Sequence, residues 1–211
     1  MNIYGRYDHS LYQIQQQLTE QLKQLNAQAI DEGQPKLYEH LNSRIKDNQS
    51  MIEKYQRKGY PVNTESALRR CHDAIGFRIV CNFIDDIYRN LKALRQADWC
   101  NIVEEKDYVT HAKPNGYRSY HVIIDLVTGE RDIDNQLPGH YYVEIQLRTI
   151  AMDSWASLEH ELKYKHNISD TQRIGKELKK CANQLASCDI QMQTIRQLIH
   201  ENDEEDPQWE S

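Results

Sequence analysis

The sequence predicts an α+β or α/β domain, a mixed β-sheet with helices on at least one face, extended by a long helix at each end. Three observations carry this. Ile75 to Cys81 and Tyr141 to Thr149 alternate apolar and polar residues as half-buried strands do, and Ile102 to Tyr108 and Ser119 to Val127 are rich in β-branched and aromatic residues. Helical periods and turn residues separate these stretches. Apolar residues near both ends of the chain recur every three or four positions.

Taken in order, Leu11, Ile14, Leu18, Leu22, Leu25 and Ala29 place one apolar stripe on a Gln-rich helix, which Gly33 and Pro35 end. A second helix is predicted from about Leu37 to Lys58, stopped by Gly59 and Pro61. A short helix near Ser66 to Arg70 precedes the first strand, with Asp73 at its mouth and Arg78 opposite the apolar set Ile75, Phe77, Ile79. Asp85 and Asp86 cap a helix to about Arg95, with Ile87, Leu91 and Leu94 inward. The second and third strands flank a Pro-Asn-Gly turn, and residues 128 to 139 read as a variable surface connection. On the fourth strand Val143, Ile145 and Leu147 share one face and Glu144, Gln146 and Arg148 the other, a polar set that lines a cleft or meets water. Ile150 to Lys165 is helical, with Met152, Trp155, Leu158 and Leu162 on its packing side.

The last segment is strictly periodic: Ile174, Leu178, Cys181, Leu185, Cys188, Met192, Ile195 and Ile199 step by four and three. Such a seam packs a long helix lengthwise on another, either the N-terminal helix or a neighbouring subunit's, and oligomerisation is the favoured reading.

At 211 residues the chain is one medium domain. With 27% charged residues and no apolar run near the ~20 residues that span a bilayer, no membrane partner is expected. The N-terminus lacks an apolar signal region. Five cysteines without a C-x-x-C fit free thiols in a reducing cytoplasm rather than a disulfide framework or zinc site. A net charge of −6 speaks against nucleic acid as the main partner. Yet Lys36 to Val80 holds nine Lys/Arg against five Asp/Glu, while residues 201–211 hold six acids and no base. A basic region with its own purpose therefore sits in an acidic protein, and the tail is expected to be disordered.

The stretch Lys113-Pro114-Asn115-Gly116-Tyr117-Arg118-Ser119-Tyr120-His121 presents a flat ring and several donors beside a sheet edge. That suits a nucleotide, with Tyr117 against a base and Lys113, Arg118 and His121 toward phosphate or sugar oxygens, or it is simply a basic hairpin loop. Asp73 and Glu144 are the clearest carboxylates on or beside the central strands and away from the core face. Hard oxygen ligands, few in number, suit Mg²⁺ held jointly with substrate phosphates. With Arg44, Lys46, Lys54, Arg78 and Arg148 nearby they supply the parts for phosphoryl or pyrophosphoryl transfer; the alternative is a turn-capping Asp73 and a solvated Glu144. No G-x-x-x-x-G-K-[ST] or G-x-G-x-x-G occurs, and His160-Glu161 with His166 has the wrong spacing for H-E-x-x-H.

Together, Arg44-Ile45-Lys46, Asp73-x-x-Gly76-x-Arg78, the loop from Lys113 to His121, and Val143-Glu-Ile-Gln-Leu-Arg-Thr149 with Trp155-Ala-Ser-Leu-Glu-His160 resemble the (p)ppGpp synthetase domain of the RelA/SpoT superfamily. The length resembles its small alarmone synthetases. The resemblance implies an α+β, nucleotidyltransferase-like fold: one synthetase domain over residues 1–200 with a catalytic core at about 37–165, oligomerisation helices at about 10–32 and 170–200, and an acidic tail at 201–211. It implies transfer of the β,γ-pyrophosphate of ATP to the 3′-OH of GDP or GTP, with AMP leaving. It further implies that Arg44 and Arg78 sandwich the adenine, that Lys46, Lys54 and Arg57 hold ATP phosphates, and that Asp73 and Glu144 coordinate Mg²⁺, with Glu144 also activating the 3′-OH. Tyr117 would stack on the guanine, with Lys113, His121, Gln146 and Arg148 lining the acceptor site, and the assembly would be a homo-oligomer, a tetramer in many relatives. The alternative within the same fold is a toxic relative that pyrophosphorylates adenosine nucleotides or the tRNA 3′ end.

Overall fold

A computed structural model describes residues 2–165 and 171–205 of the protein. After a short 3₁₀ turn at Gly5–Tyr7 come helix α1 (Asp8–Asp31), strand β1 (His40–Ile45), helix α2 (Asn48–Lys58) and a single wide helical turn at Ser66–Arg70. Strand β2 (Ile75–Cys81), helix α3 (Ile84–Gln96), and strands β3 (Cys100–Asp107), β4 (Tyr120–Thr128) and β5 (Gly139–Thr149) follow, then helices α4 (Ile150–Lys165) and α5 (Thr171–Glu205). The five strands form one mixed sheet in the order β1-β2-β5-β4-β3, parallel between β2 and β5 and antiparallel elsewhere. The fold is the expected α+β class.

One face of the sheet is apolar because Ile75, Phe77 and Ile79, Val122, Ile124 and Leu126, and Val143, Ile145 and Leu147 all point to it. They share one core with Leu11, Ile14, Leu18 and Leu22 of α1 and Ile87, Leu91 and Leu94 of α3. Each such side chain contributes about 1.5–3 kcal/mol on leaving water. Asp86 accepts from the Phe83 N–H at 3.3 Å and so caps α3 as the sequence predicts. The opposite face is open where Arg44, Arg78, Glu144 and Gln146 line a cleft.

Several expectations are corrected. Leu37 to Lys58 is not one helix: its first part is β1, antiparallel to β2 from His40↔Val80 to Ile45↔Ile75. An edge strand carries few apolar residues, so its alternation was faint. The true helix start is Asp47, whose side chain accepts from the Ser50 N–H at 2.9 Å. The α1 stripe turns Leu11, Ile14, Leu18 and Leu22 into the core of its own domain, while Tyr12 and Ile30 of the same helix stay exposed. On α4, Met152 and Trp155 are buried, but Leu158 and Leu162 are exposed.

Helix α5 packs on α4 and α3 rather than on α1. Ala182 and Asp189 face inward, Leu178 and Leu185 are half-buried, and Met192, Ile195 and Ile199 stand 52%, 51% and 54% exposed. The connection from Thr128 to Gly139 is pinned rather than loose: buried Asp132 accepts from the N–H groups of Asp134, Gln136 and His140 and from Arg69. Residues 201–205, expected to be disordered, continue α5; the remainder of the acidic tail lies outside the described residues.

Candidate active site

Strand register builds the site. Across the open face, Arg44, Gly76 and Glu144 stand opposite one another on β1, β2 and β5, and the neighbouring row is Asn42, Arg78, Gln146 and His121. All of these except His121 line one open cleft of ≈ 510 Å³, with Ser43, Lys46, Asp73 and Phe77. Gly76 has a structural reason: a Cβ there would meet nothing within 4 Å, so the glycine leaves empty the space between Arg44 and Glu144.

Arg44 and Arg78 are diagonal neighbours on one face of an antiparallel pair, a relation that spans about 7–8 Å. Both side chains line the same cleft.

Asp73 follows the turn at Ser66–Arg70 and sits at the mouth of β2. Lys46, in the segment joining β1 to α2, donates to its Oδ2, and Lys54 Nζ of α2 lies 2.6 Å from Oδ1. Both oxygens of the carboxylate are thus engaged by lysine ammonium groups. Burial pushes the Asp73 carboxyl up, but the two ammonium groups outweigh it and hold it below the ordinary value. Burial also pushes Glu144 up. The partnership with His121, whose Nδ1 lies 3.4 Å from Glu144 Oε1, and the bond from Gln146 Nε2 at 2.9 Å bring it below its ordinary value, against the repulsion of Asp73.

The loop that carries Tyr117 is joined to the cleft by a connected network. Tyr117 OH meets His121 Nε2 at 2.8 Å and accepts from Arg148 Nη2 at 2.8 Å, and the same Nη2 donates to Gln146 Oε1 at 2.7 Å. Lys113 Nζ stands 4.5 Å and 4.7 Å from the ring centres of Tyr108 and Tyr117. The loop is held by Gly116, at φ +94°, where a Cβ would approach Ala182 of α5 to 2.6 Å. No ordinary side chain fits there.

The structure thus brings together eleven of the thirteen residues the sequence singles out: Arg44, Lys46, Lys54, Asp73, Arg78, Lys113, Tyr117, His121, Glu144, Gln146 and Arg148. Arg118 instead lines a small hollow against α5 with Gly116, Ala182 and Asp189, away from the cleft. Arg57 is exposed near the end of α2, outside the residues that line the cleft. Three residues went unnoticed in the sequence. Asn42 was hidden by the misread of β1. Tyr108 is adjacent in space to Tyr117 and His121, with ring centres 6.3 Å and 5.4 Å away. Asp153, which no motif in the sequence marks, binds both Arg78 and Arg148.

Among the described residues no three His, Cys, Asp or Glu side chains converge on a metal position. The Asp73 and Glu144 carboxylates share one cleft, and hard oxygen ligands so few in number suit an ion that completes its shell with substrate phosphates and water, as Mg²⁺ does; at Asp73 it would replace lysine contacts.

Residues 43–169 match the family model described as the region found in RelA / SpoT proteins. The chain is 41% identical over 161 residues to GTP pyrophosphokinase YwaC of Bacillus subtilis (strain 168), covering 76% of this chain and 75% of that one. The crystal structure of the small alarmone synthetase 1 from Bacillus subtilis bound to its product pppGpp superposes with a TM-score of 0.78 at 29% identity, covering 90% of this chain and 94% of that one. The structure of the same synthetase bound to AMPCPP gives 0.74 at 27% identity, covering 93% and 97%.

Proposed function

The chain belongs to the RelA/SpoT family, and from that premise we propose that it is a GTP pyrophosphokinase that makes ppGpp and pppGpp from ATP and GDP or GTP. The observation that carries this is the single cleft that joins Asp73, Glu144, Arg44 and Arg78 on one sheet face and continues through His121 into the Tyr117 loop. In this reading the arrangement offers one subsite beside Asp73 and Glu144 and a second at the Tyr117 loop, one for each nucleotide.

In this reading Arg44 and Arg78 hold the adenine between their planes. Lys46 and Lys54, already gathered at Asp73, neutralise the ATP phosphates, and Arg57 reaches them only from the rim. Asp73 and Glu144 hold Mg²⁺, which when bound supplies charge neutralisation at the phosphates. Tyr117 stacks on the guanine, and Lys113, His121, Gln146 and Arg148 fix the acceptor. The 3′-oxygen bonds to the β-phosphorus while the bond from that phosphorus to the α,β-bridging oxygen breaks. AMP leaves with the bridging oxygen, and the hydroxyl proton passes to Glu144. Burial raises the Glu144 carboxyl but His121 and Gln146 hold it below its ordinary value, so it takes the proton through its position rather than through basicity. Most of the acceleration comes from alignment and charge, because this transition state asks for little covalent help.

The exposed Met192, Ile195 and Ile199, with Ile190 and Leu198, support assembly into a homo-oligomer through α5, a tetramer in this proposal. Free thiols at all five cysteines support a cytoplasmic enzyme, and no described helix is long and apolar enough to cross a membrane.

The test is incubation of the pure protein with γ-labelled ATP and, separately, GDP, GTP, ADP and deacylated tRNA. Label in guanosine tetra- or pentaphosphate is expected. Label confined to adenosine nucleotides or tRNA would move the protein to the toxic branch of the same fold.

A further inference from the structure

Asp153 lies in the first turn of α4, outside the strands that carry the cleft. A single oxygen of its carboxylate, Oδ1, accepts from Arg78 Nη1 at 3.1 Å and from Arg148 Nη1 at 3.0 Å. The two arginines serve different places. Arg78 lines the cleft on β2, and Arg148, almost fully buried on β5, donates onward to Tyr117 and Gln146.

Two guanidinium groups drawn to one point repel unless an anion stands between them, and a buried Arg148 left unpaired would be costly. A guanidinium donates in its plane and stacks with its faces, so an edge contact with Asp153 leaves the face of Arg78 open to a ring. The carboxylate therefore sets where both groups lie without itself entering the cleft lining.

We propose that Asp153 is a positioning residue that braces the donor and acceptor subsites as one unit, by fixing Arg78 and Arg148 through a shared oxygen. This rests on the two-nucleotide reading above. Its consequence is that losing one carboxylate, remote from both substrates, harms the binding of both.

The experiment uses the full chain and Asp153→Asn, which keeps the size and one acceptor oxygen but loses the charge. Steady-state KM is measured for ATP and for GDP, with calorimetric binding of AMPCPP and of GDP in the absence of turnover. Both KM values and both dissociation constants are expected to rise about tenfold, the order of one charged hydrogen bond, with kcat changed less. In an Arg78→Ala background the further effect of Asp153→Asn on ATP is expected to vanish while its effect on GDP persists. A change confined to GDP would overturn the proposal, because Asp153 would then only neutralise Arg148; so would no change on either side. Should Asp153→Asn fail to fold, Asp153→Glu is read the same way: its displaced carboxylate is expected to raise both KM values together, and an unchanged KM for ATP overturns the brace. A wild-type protein that binds AMPCPP but yields no guanosine product would sink the proposed reaction, while the calorimetric comparison still decides the brace.

Discussion

His121 stands between two partners, its Nδ1 3.4 Å from Glu144 Oε1 and its Nε2 2.8 Å from the Tyr117 hydroxyl. One imidazole thereby ties the loop that would carry the acceptor base to the carboxylate that would take its proton. Tyr117→Ala should raise KM for GDP or GTP about tenfold or more with ATP less affected, since base stacking of this kind contributes about 1–3 kcal/mol. Tyr117→Phe keeps the ring and loses the link, so kcat should fall more than acceptor KM rises. Equal damage to ATP in the alanine variant would reassign the loop.

Gly76 tests the shape of the cleft. Because a Cβ there meets nothing within 4 Å, Gly76→Val should fold, with stability changed by no more than about 1 kcal/mol, as β-branched residues suit strands. Its side chain would occupy the space between Arg44 and Glu144, raising KM for ATP more than tenfold. Thermal melts and initial rates on one preparation check both halves.

Gly116 and Ala182 are coupled by contact. Gly116→Ala should destabilise the protein by about 1–3 kcal/mol, from a strained positive φ and from a methyl 2.6 Å from the Ala182 Cβ. Ala182→Gly in the same chain should restore only the contact part. Additive losses in denaturant titrations would mean that α5 does not press on the loop.

The pH dependence of stability should carry the mark of Asp189, a buried carboxyl of α5 that accepts from Thr149 Oγ1 at 2.7 Å. Burial pushes it above its ordinary value, against the Thr149 bond and the charge of Arg118. Its cost to folding is therefore absent below the ordinary value of 3.8, grows as pH rises through the shifted value, and is full at neutrality. Asp189→Asn keeps the acceptor and should stabilise the protein at pH 7 relative to wild type, with the gain gone near pH 3. Chemical denaturation at the two pH values reads it.

The central sheet was legible because β2 and β5 alternate strongly: Ile75, Phe77 and Ile79, like Val143, Ile145 and Leu147, must face a core, which sends Arg78, Glu144 and Gln146 to the other side. Edge strand β1 was not, since Leu41 and Ile45 are only half-buried and a nearby cap at Asp47 blurred into a helix reading. Periodicity found α5, and the structure leaves the C-terminal half of its apolar seam outward while a different stripe makes the intrachain contact. Small and polar residues, Ala182 and Asp189, make its intrachain contact, while the apolar Met192, Ile195 and Ile199 are left outside. Asp153 was invisible because Arg78 is 75 residues away and Arg148, only five away, lies across the boundary between β5 and α4, where no periodicity links the two.

The claim on which the rest depends is that Asp73 and Glu144 serve one divalent ion. The direct measurement is titration of Mn²⁺ into the protein saturated with AMPCPP and GDP, with free Mn²⁺ read by electron paramagnetic resonance. Wild type should hold an ion whose affinity falls at least about tenfold in Asp73→Asn and, separately, in Glu144→Gln, each variant remaining folded. An affinity unchanged in either single variant would contradict the account.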